Sequence, residues 1–543
     1  MARSEMRWWG WGDPDRASSL PEPAAALLRE EVGMGEGQRG PVALEEVKLP
    51  PSGLRPRAQR ALEAAVGPGR VVGDHAVRVL HAAGKGYPDL VRLRAGTPDA
   101  APDAVVFPES DEQVGALVRS CGREGVAVVP FGGGTSVVGG VAPVRGRHHA
   151  VIALDLRDLR GLGGIDRESL TVLAGAGTRG PALEAELAGH GLTLGHFPQS
   201  FEYVTIGGCA ATRSAGQAST GYGRIDDLVT GLRLRAPAGE LALAALPASG
   251  AGPSIRELVV GSEGAFGVIT ELALRVRPRP EATAYEGMFF ETFEAGTQAL
   301  RLVAQERRAP DIARLSDEEE TRLSLALAGD GGIKGLAGRG YIRARGYAGG
   351  CLAILGWEGE AEDVGRRRTD SLTLLRRAGG LPLGAAPGRA WAAGRFGAPY
   401  LRDDLLDRGV MVETVETAGQ WSALPGLREA ITAALDETLA ARGTPPVVLC
   451  HISHLYESGA SLYFTFVARQ EEGREIDQWW AAKSAAAEAI VAGGGTITHH
   501  HGIGRDHASW LGQEVGGLGV DVLRSVKSRL DPAGVMNPGK LLA

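Results

Sequence analysis

The stretch VAVVPFGGGTSVVGG, Val126–Gly140, is the part of the sequence that decides the fold. It starts as an apolar run typical of a buried β-strand and continues into three consecutive glycines. Glycines at the end of a strand allow backbone N–H groups to approach an anion, and Thr135 and Ser136 add hydroxyl donors. The loop Pro130–Ser136 therefore predicts a pyrophosphate site, with an ordinary tight turn as the alternative for the loop taken alone.

The residues around this loop predict an α+β module. A short apolar strand within residues 104–108 is followed by a helix with Ser110 as its N-cap, and this helix leads into the strand before the loop. Further strands are predicted at Ala150–Leu156 and Ser169–Gly177, and a second helix begins near Thr178, its candidate N-cap. No Gly-Lys-Ser/Thr motif follows the glycines, which argues against nucleotide hydrolysis.

A second glycine motif, GAGTRG at Gly175–Gly180, matches the spacing of the G-x-G-x-x-G dinucleotide fingerprint. The full fingerprint also needs a strand that ends in Asp or Glu about 20 residues further on. Glu202 lies near that distance, but in a loop-like segment. The sequence therefore disfavours a nicotinamide-binding Rossmann domain here.

Histidines gather in two segments near the end of the chain. His451 and His454 lie on a predicted β-hairpin, HISHLYESGASLYFTFVAR, and His499, His500 and His501 are consecutive. On an extended chain His499 and His501 would share one face while His500 points away. Imidazole changes charge near neutral pH, so we expect acid/base or anion-binding work rather than zinc, for which no H-E-x-x-H motif is present. Partly buried polar residues at a domain seam are the alternative.

The second strand of this hairpin alternates in polarity. Leu462, Phe464 and Phe466 are predicted to face one way, and Tyr463 and Thr465 the other. A strand tyrosine usually packs and makes one hydrogen bond, so the pattern alone assigns no function to Tyr463.

Composition and charge limit the functional classes. A length of 543 residues predicts two to four domains, and the 80 glycines, which follow no collagen-like period, indicate many tight turns. The net charge of −7 and the lack of a long basic run argue against nucleic-acid binding. The four widely spaced cysteines resemble neither a disulfide framework nor a zinc site, and we expect no metal. No apolar run has the length of a membrane span and the polar N-terminus lacks the core of a signal peptide, which predicts a cytoplasmic protein.

Six motifs follow one another along the chain: PDAVVFPES (102–110), PFGGGTS (130–136), HFPQSFEYVTIGGCAATRSAG (196–216), YGRIDDLV (222–229), VVGSEGAFGVITE (259–271) and THHHGIG (498–504). In this order they resemble the motifs of FAD-dependent oxidases of the vanillyl-alcohol oxidase type, which carry a PCMH-type FAD-binding domain. Within that group the chain resembles the alkyldihydroxyacetonephosphate synthases and their bacterial relatives. The tryptophan-rich WWGWGDP, residues 8–14, fits this subgroup.

The resemblance implies an α+β fold with a two-subdomain PCMH-type FAD-binding domain followed by an α+β cap. We expect an N-terminal segment, residues 1–97, that packs on the FAD domain, and the FAD domain itself at 98–280. The cap, or substrate domain, is expected at 281–495. The C-terminal segment, 496–543, is expected to return to the FAD domain and to contribute to the active site.

The resemblance also implies FAD, and the lack of a histidine in or beside the glycine loop predicts that it is held noncovalently. The loop would bind the pyrophosphate, two later segments would line the ribityl chain and the isoalloxazine ring, and a fourth would close over the adenine and diphosphate side. The implied cofactor-binding residues are Pro130, Phe131, Gly132, Gly133, Gly134, Thr135, Ser136, Gln199, Ser200, Phe201, Glu202, Tyr203, Val204, Thr205, Thr212, Arg213, Ser214, Ala215, Glu263, Gly264, Ala265, Phe266, Gly267, Val268 and Ile269.

The synthases that the chain resembles exchange the acyl chain of an acyl-dihydroxyacetone phosphate for a long-chain alcohol through a flavin adduct, a step of ether-lipid synthesis. By the same resemblance Tyr463 would be the general acid/base, with Arg314 beside the active site. The three consecutive histidines, His499, His500 and His501, would assist at the same centre.

One residue departs from the family pattern. The animal synthases carry a Cys-Arg pair whose arginine is thought to bind the substrate phosphate, and this chain has Cys450-His451. A histidine is a weaker and pH-dependent phosphate partner, so the identity of the substrate stays open. An FAD-linked dehydrogenase or oxidase of a 2-hydroxy acid or alcohol is the alternative function, followed by a flavin-binding protein without turnover. A small-molecule or lipid substrate is expected, and the sequence leaves transient membrane-surface contact and a homodimer open.

Overall fold

The first 280 residues build three small sheets. The computed structural model describes residues 6–16, 19–37, 39–327 and 349–542. The strands of this part are β1 (Val71–Val72), β2 (Ala104–Val106), β3 (Val126–Phe131), β4 (Ala150–Asp155), β5 (Leu162–Asp166), β6 (Thr171–Gly175), β7 (Leu192–Thr193), β8 (Val229–Ala236), β9 (Gly239–Leu243), β10 (Val268–Arg275) and β11 (Arg277–Pro278). They pair as a four-stranded sheet of order β1-β2-β4-β3, a five-stranded sheet of order β5-β6-β10-β8-β9, and the pair β7-β11.

The cap is built on one antiparallel sheet. Its strands are β12 (Ala282–Phe290), β13 (Ile312–Ser316), β14 (Cys351–Gly359), β15 (Leu381–Gly384), β16 (Val410–Gln420), β17 (Val447–Ile452) and β18 (Gly459–Arg469). Their order is β15-β12-β14-β13-β17-β18-β16. The predicted hairpin is the pair β17-β18, joined by residues 453–458, a longer connection than the expected turn.

Helices cover these sheets, and the predicted α+β class is confirmed. The helices are α1 (Glu22–Val32), α2 (Pro56–Val66), α3 (His75–Leu80), α4 (Tyr87–Arg94), α5 (Asp111–Glu124), α6 (Gly180–Gly189), α7 (Ile206–Thr212), α8 (Ser219–Tyr222), α9 (Ile225–Leu228), α10 (Ile255–Val259), α11 (Phe293–Gln305), α12 (Glu318–Leu327), α13 (Ala361–Arg377), α14 (Ala386–Gly394), α15 (Ala398–Asp407), α16 (Leu424–Ala441), α17 (Glu475–Ala492) and α18 (Leu511–Leu530), with short 3₁₀ turns at Leu44–Glu46 and Ala508–Trp510. None of the described helices combines the length and apolarity needed to cross a bilayer.

The glycine loop leaves the end of a buried strand, as the sequence predicted. Strand β3 pairs in parallel with β4, from Val126 opposite Ala150 to Phe131 opposite Asp155. Side chains on both strands are almost entirely buried. The loop therefore begins at the carboxyl edge of a sheet, where ligands of open α/β sheets usually bind.

Two helix starts show how far local capping signals hold. The Ser110 hydroxyl accepts a hydrogen bond of 3.3 Å from a first-turn amide of α5, which confirms the predicted N-cap. The prediction for Thr178 is wrong, because α6 begins at Gly180 without a side-chain cap. The Thr178 hydroxyl instead accepts from the Gly161 amide at 3.0 Å. The Thr178 side chain, which the local pattern assigned to the helix start, is thus hydrogen-bonded to the backbone of Gly161 instead.

The cap sheet has one face in the core and one facing a cavity. Helices α11, α13, α16 and α17 pack on the first face, where Leu462, Phe464 and Phe466 are fully buried. Tyr463 and Thr465 point to the second face and line the cavity. The alternation predicted for this strand is confirmed.

The chain termini tie the two parts together. Within the N-terminal segment, Leu62 of α2 packs on α5 of the first part of the molecule. Helix α1 packs on the cap instead, where Leu28 and Val32 are buried with Leu405, Leu449 and Val467. The apolar face of α1 packs beside strands β16, β17 and β18. A local sequence pattern shows that a helix has an apolar face but not which strands cover it. The C-terminal segment returns to the first part of the molecule, where the β3 residue Val128 exchanges backbone hydrogen bonds of 2.8 Å with residues 535 and 537.

Candidate active site

A cavity of about 500 Å³ lies between the glycine loop and the open face of the cap sheet. The loop forms one wall, and Tyr463, His451, His500 and His501 form part of another. Residues more than 300 positions apart in the sequence therefore share one space. Such a seam between two folded parts is the usual place for a ligand pocket.

The glycine loop has the properties of an anion cradle. The backbone N–H groups of residues 132–136 donate to no acceptor among the residues that the structure describes. A Cβ on Gly133 would lie 2.1 Å from the carbonyl oxygen of Tyr203, so only glycine allows this approach, and Gly134 has a φ of +67°. Consecutive free amides bordering a cavity bind anions, and a pyrophosphate fits them.

Tyr463 stands at the centre of the opposite wall. Its strand places it opposite Glu416 of β16 and His451 of β17. The ring is nearly parallel to that of His451 at 4.9 Å and to that of His500 at 5.9 Å. Burial raises the pKa of Tyr463 to about 12, so the phenol carries its proton at neutral pH. A protonated phenol held between two imidazoles can donate a proton to a substrate oxygen and recover it.

The three consecutive histidines are shaped by a buried carboxylate that sequence reasoning missed. Glu416 accepts from the amide of His499 at 2.6 Å and from the amides of His500 and His501 at 3.1 and 3.0 Å. The hydroxyl of Thr498 adds a fourth donor at 2.5 Å. The only signal in the sequence is a pair of glutamates, Glu413 and Glu416, on an otherwise largely apolar strand.

Because the chain wraps around Glu416, it is not extended, and the predicted orientation of the histidines is wrong. His500 and His501 line the cavity together. His499 turns away, and its Nε2 lies 2.6 Å from the hydroxyl of Tyr456. The alternation expected of a strand does not apply to a chain whose successive amides converge on one carboxylate.

Charges in this cluster follow from burial. Desolvation lowers the pKa of His500 and lowers that of His501 well below its usual value, so both imidazoles are neutral near pH 7. Burial opposes ionisation of Glu416, but the neighbouring histidines and the Thr498 hydrogen bond hold the pKa of that carboxyl well below its usual range. Neutral histidines around an ionised carboxylate can accept a proton during a reaction.

Comparison with known proteins places the chain in a family. A model described as FAD binding domain matches residues 102–244, and one described as FAD linked oxidases, C-terminal domain, matches residues 279–541. An alkyldihydroxyacetonephosphate synthase of Dictyostelium discoideum is 33% identical over 99% of this chain and 93% of its own. The chain belongs to the alkyldihydroxyacetonephosphate synthase family.

Two further matches agree with this membership of the synthase family. A synthase of Trypanosoma brucei brucei is 32% identical over 100% of this chain and 93% of its own. A solved alkyldihydroxyacetonephosphate synthase superposes with a TM-score of 0.86 at 31% identity, covering 98% of each chain. The structure of p-cresol methylhydroxylase shares the fold, with a TM-score of 0.70 at 15% identity over 91% of this chain and 99% of that one.

As a member of the synthase family the chain has an FAD-binding domain, and the cavity wall fits that cofactor. The free amides of the loop suit the pyrophosphate. The adjoining walls come from the segments predicted to bind the other parts of FAD: the ribityl chain, the isoalloxazine ring and the adenine side. The predicted cofactor-binding residues that line the cavity are Pro130, Phe131, Gly132, Gly133, Gly134, Thr135, Ser136, Gln199, Ser200, Val204, Thr205, Thr212, Ser214, Ala215, Glu263, Gly264, Gly267 and Ile269.

The other seven predicted cofactor-binding residues do not line the cavity and contact neighbouring protein groups instead. Arg213 forms ion pairs of 3.1 and 3.0 Å with two acidic residues of the same domain. Glu202 accepts from Arg16 at 2.8 Å, and Tyr203 packs edge-on against Trp11. The remaining four, which are packed against aromatic or core residues, are Phe201, Ala265, Phe266 and Val268.

Glu263 connects the cofactor wall to the C-terminal segment. Its carboxyl accepts from the amides of Ile503 and Gly504 at 2.6 and 2.7 Å. Burial raises the pKa of Glu263 to about 7. The residue predicted to close over the cofactor thus also fixes the loop that follows the three histidines.

The G-x-G-x-x-G motif has a packing role. A Cβ on Gly175 would lie 2.5 Å from the carbonyl oxygen of Leu159, and one on Gly177 would lie 1.8 Å from that of Leu156. Neither glycine lines the cavity. The prediction that this motif is not a nicotinamide site agrees with its place in the fold.

Arg314 and His451 form a paired group beside Tyr463. Arg314 donates to Glu320 at 2.6 Å and to Nε2 of His451 at 3.1 Å. Burial and the nearby guanidinium lower the pKa of His451, which keeps this imidazole neutral. Although burial opposes it, Arg314 and His451 lower the pKa of Glu320 to about 2. The cation predicted beside the active site is therefore already balanced by a carboxylate.

A cluster of ring nitrogens has the spacing of metal ligands. Nitrogens of His454, His499 and His500 lie within 4.8 Å of one another. Protein groups already occupy several of them: Nδ1 of His454 lies 2.6 Å from the Ser219 hydroxyl, and Nδ1 of His499 lies 3.1 Å from that of His500. The absence of a metal stays a prediction.

Proposed function

We propose that this chain makes an alkyl-dihydroxyacetone phosphate, the product that the name of its synthase relatives gives. It would do so by exchanging the acyl group of an acyl-dihydroxyacetone phosphate for a long-chain alcohol. Membership of that family supports the proposal. The observation that carries it is the continuity of one cavity through three environments: an anion cradle, a centre of Tyr463 and histidines, and an apolar branch.

The apolar branch suits an alkyl chain. Leu28 of α1, Leu323 of α12, Leu405 of α15 and Leu449 of β17 line the same cavity as the histidines, together with Val467. Burying a methylene group contributes about 0.8 kcal/mol, so an alcohol with a long tail gains most of its affinity here. A small polar 2-hydroxy acid would leave this branch unfilled.

In this exchange Tyr463 would transfer the proton, and His500 would position the tyrosine ring. FAD bound at the cradle supplies a ring that accepts and returns electron pairs. Tyr463 holds a proton near pH 7 and can give it to the departing carboxylate, which leaves as the fatty acid. The resulting phenolate takes the proton of the incoming alcohol, so one proton moves from alcohol to acid and no net oxidation occurs. His500, stacked on Tyr463, fixes the ring.

The test is turnover by the purified, FAD-loaded protein. Palmitoyl-dihydroxyacetone phosphate and radiolabelled hexadecanol should yield labelled alkyl-dihydroxyacetone phosphate and free palmitate in equal amounts. Under anaerobic conditions the flavin absorbance should show no net bleaching after turnover. Lack of labelled product, with bleaching by a 2-hydroxy acid or an alcohol, would support the dehydrogenase alternative instead.

We also propose a cytoplasmic protein that collects its lipid substrate at a membrane surface, alone or as a homodimer. All four cysteines are buried and free, in keeping with a reducing compartment. Cell fractionation and light scattering test these points.

A further inference from the structure

One carboxylate in the cavity wall has an oxygen to which no described residue donates. Among the described residues the acidic side chains that line the cavity are Glu263, Glu320 and Glu413. Glu263 and Glu413 each accept hydrogen bonds with both of their carboxyl oxygens. Oε2 of Glu320 is buried and has no partner in the part of the chain that the structure describes. Glu320, which is 8% exposed, therefore offers the cavity one free acceptor.

The other oxygen of Glu320 fixes the carboxylate in place and keeps it charged. Oε1 lies 2.6 Å from a guanidinium nitrogen of Arg314 and 3.1 Å from Nδ1 of His451. Burial opposes ionisation, but Arg314 and His451 lower the pKa of Glu320 to about 2. The Ser316 hydroxyl also favours the charged form, although it makes no hydrogen bond to Oε2. The free acceptor is therefore the oxygen of an ionised carboxylate.

Glu320 lies at the start of a helix face that becomes apolar. Glu320, Leu323 and Leu327 are spaced three and four residues apart, so they share one face of α12, and all three line the cavity. This face extends over about 10 Å along the helix axis. Glu320 contacts His451, whose ring stacks on Tyr463 at 4.9 Å, whereas Leu323 belongs to the apolar branch. The charged end of the face is thus at the reactive centre and the apolar end is in the branch.

The chemistry of the two substrates decides which one has the missing donor. A carboxylate only accepts, so the partner of Oε2 must carry an O–H or N–H group. Both hydroxyl groups of an acyl-dihydroxyacetone phosphate are esterified, and its phosphate is an anion that Glu320 would repel. The long-chain alcohol is neutral and has one hydroxyl donor at the end of an alkyl tail. The fatty acid that leaves has the same kind of tail, but its ionised head would place a second negative charge beside Glu320.

We propose that Glu320 binds the hydroxyl group of the long-chain alcohol and disfavours the fatty acid that carries the same tail. The inference rests on the proposed function and assigns the residue that selects its second substrate. A carboxylate with so low a pKa is too weak a base to take the proton of an alcohol, so Tyr463 keeps that step. FAD also carries hydroxyl and N–H donors, but the residues predicted to hold it lie in the first part of the chain, whereas Glu320 is on the cap.

Head-group selectivity can be measured without turnover. 1-Decanol, methyl nonyl ether and decanoate are titrated into the FAD-loaded protein at pH 8 by calorimetry. These ligands have similar tails, and their heads are a hydroxyl donor, an oxygen that only accepts and an ionised carboxylate. The parent protein should bind decanol at least tenfold more tightly than either of the others, the gain expected for a hydrogen bond to a charged group. Equal binding of decanol and the ether by the parent protein would overturn the proposal, and this result requires no variant to fold.

Substitutions of Glu320 test its charge and its acceptor separately. In Glu320→Gln the ratio of decanol affinity to decanoate affinity should fall at least tenfold, because an amide does not repel a carboxylate and can donate to it. Glu320→Asp keeps the charge and withdraws the oxygen, so decanol should bind more weakly while decanoate is still rejected. Glu319→Gln is the matched control, since Glu319 pairs with Arg322 at 2.6 Å and does not line the cavity. An unchanged ratio in Glu320→Gln would refute the inference.

A second measurement separates the alcohol from the cofactor. The dissociation constant of FAD, followed by flavin fluorescence, should be unchanged in Glu320→Gln. Weaker FAD binding with an unchanged ratio of decanol to decanoate affinity would assign Glu320 to the cofactor and refute the inference. If the exchange reaction is absent but the Glu320-dependent selectivity persists, the proposed function fails while the alcohol site stands.

Turnover completes the test. In the exchange assay palmitate should inhibit Glu320→Gln at least tenfold more strongly than the parent protein, in competition with hexadecanol. KM for the acylated ketone phosphate should be unchanged. A raised KM for the ketone phosphate with unchanged inhibition by palmitate would show that Glu320 acts only by holding Arg314, and would contradict the proposal.

Discussion

At neutral pH the phenol of Tyr463 keeps its proton, because burial raises its pKa to about 12. Tyr463→Phe removes the proton-carrying oxygen and keeps the ring that stacks on two histidines. We expect the exchange of labelled hexadecanol to fall at least ~100-fold, the range of lost general acid/base catalysis, with FAD still bound. Tyr456→Phe is the control, since Tyr456 hydrogen-bonds His499, which does not line the cavity. Equal losses in both variants would contradict the role of Tyr463.

Glu416 is expected to matter for the position of the histidines. In Glu416→Gln the carboxamide offers one acceptor oxygen to four donors, so a buried amide loses its partner at a cost of about 1–3 kcal/mol. The thermal unfolding temperature should drop, and kcat should fall more than KM rises, because His500 and His501 shift. Glu286→Gln removes another buried, paired carboxylate of the cap and serves as the control. A drop in stability with unchanged kcat would limit Glu416 to folding.

The places of single residues were predictable where the motif is local and not where its partners are distant. The glycine loop, Tyr463 and Arg314, which the motifs assign to one site, line one cavity. Glu416 escaped notice because the amides it accepts from lie more than 80 residues further along the chain. The same distant contact reversed the expected direction of His500.

At the scale of elements, α1 closes the apolar branch of the cavity. Leu28 lines the branch and is 1% exposed, whereas its neighbour Leu27 is only partly buried and does not line it. Leu28→Phe fills space that the tail of the alcohol would occupy, and Leu27→Phe is the matched control. We expect kcat/KM for hexadecanol relative to dodecanol to fall about tenfold in Leu28→Phe, the effect of one or two methylenes in an apolar pocket. An unchanged chain-length profile would place the alkyl tail elsewhere.

Elements followed from the sequence more readily than their packing partners. The strand before the glycine loop, the helix capped by Ser110 and the alternating strand of Tyr463 are local patterns, and the structure has all three. The apolar residues of α1, Ala24, Ala25, Leu28 and Val32, lie on one face of the helix and are buried. The sequence pattern of this helix shows that one face is apolar. It does not show which surface covers that face, because the complementary residues come from five separate elements of the cap.

At the scale of the whole molecule, the cofactor wall and the reactive side chains belong to different parts of the chain. The cap contributes Tyr463 and His451, and the returning C-terminal segment contributes His500 and His501. Strand β3 and Glu263 anchor that segment through hydrogen bonds. This arrangement explains why the order of motifs along the chain predicted the family, while no single motif predicted the active site.

This separation of the histidines from the glycine loop predicts noncovalent FAD, which acid denaturation would release. The histidines that line the cavity, His451, His454, His500 and His501, stand on the cap and the C-terminal segment. His81 packs on the loop residue Phe131 at 4.5 Å, but both of its nitrogens are hydrogen-bonded, Nε2 to Asp155 at 2.9 Å and Nδ1 to a backbone oxygen at 2.8 Å. Precipitation with trichloroacetic acid should leave a colourless pellet and yellow supernatant. Since FAD binds the folded state, adding it should also raise the unfolding temperature with its concentration. A pellet that stays yellow would show that the flavin is covalently bound. The residue bonded to it would then not be a histidine beside the glycine loop.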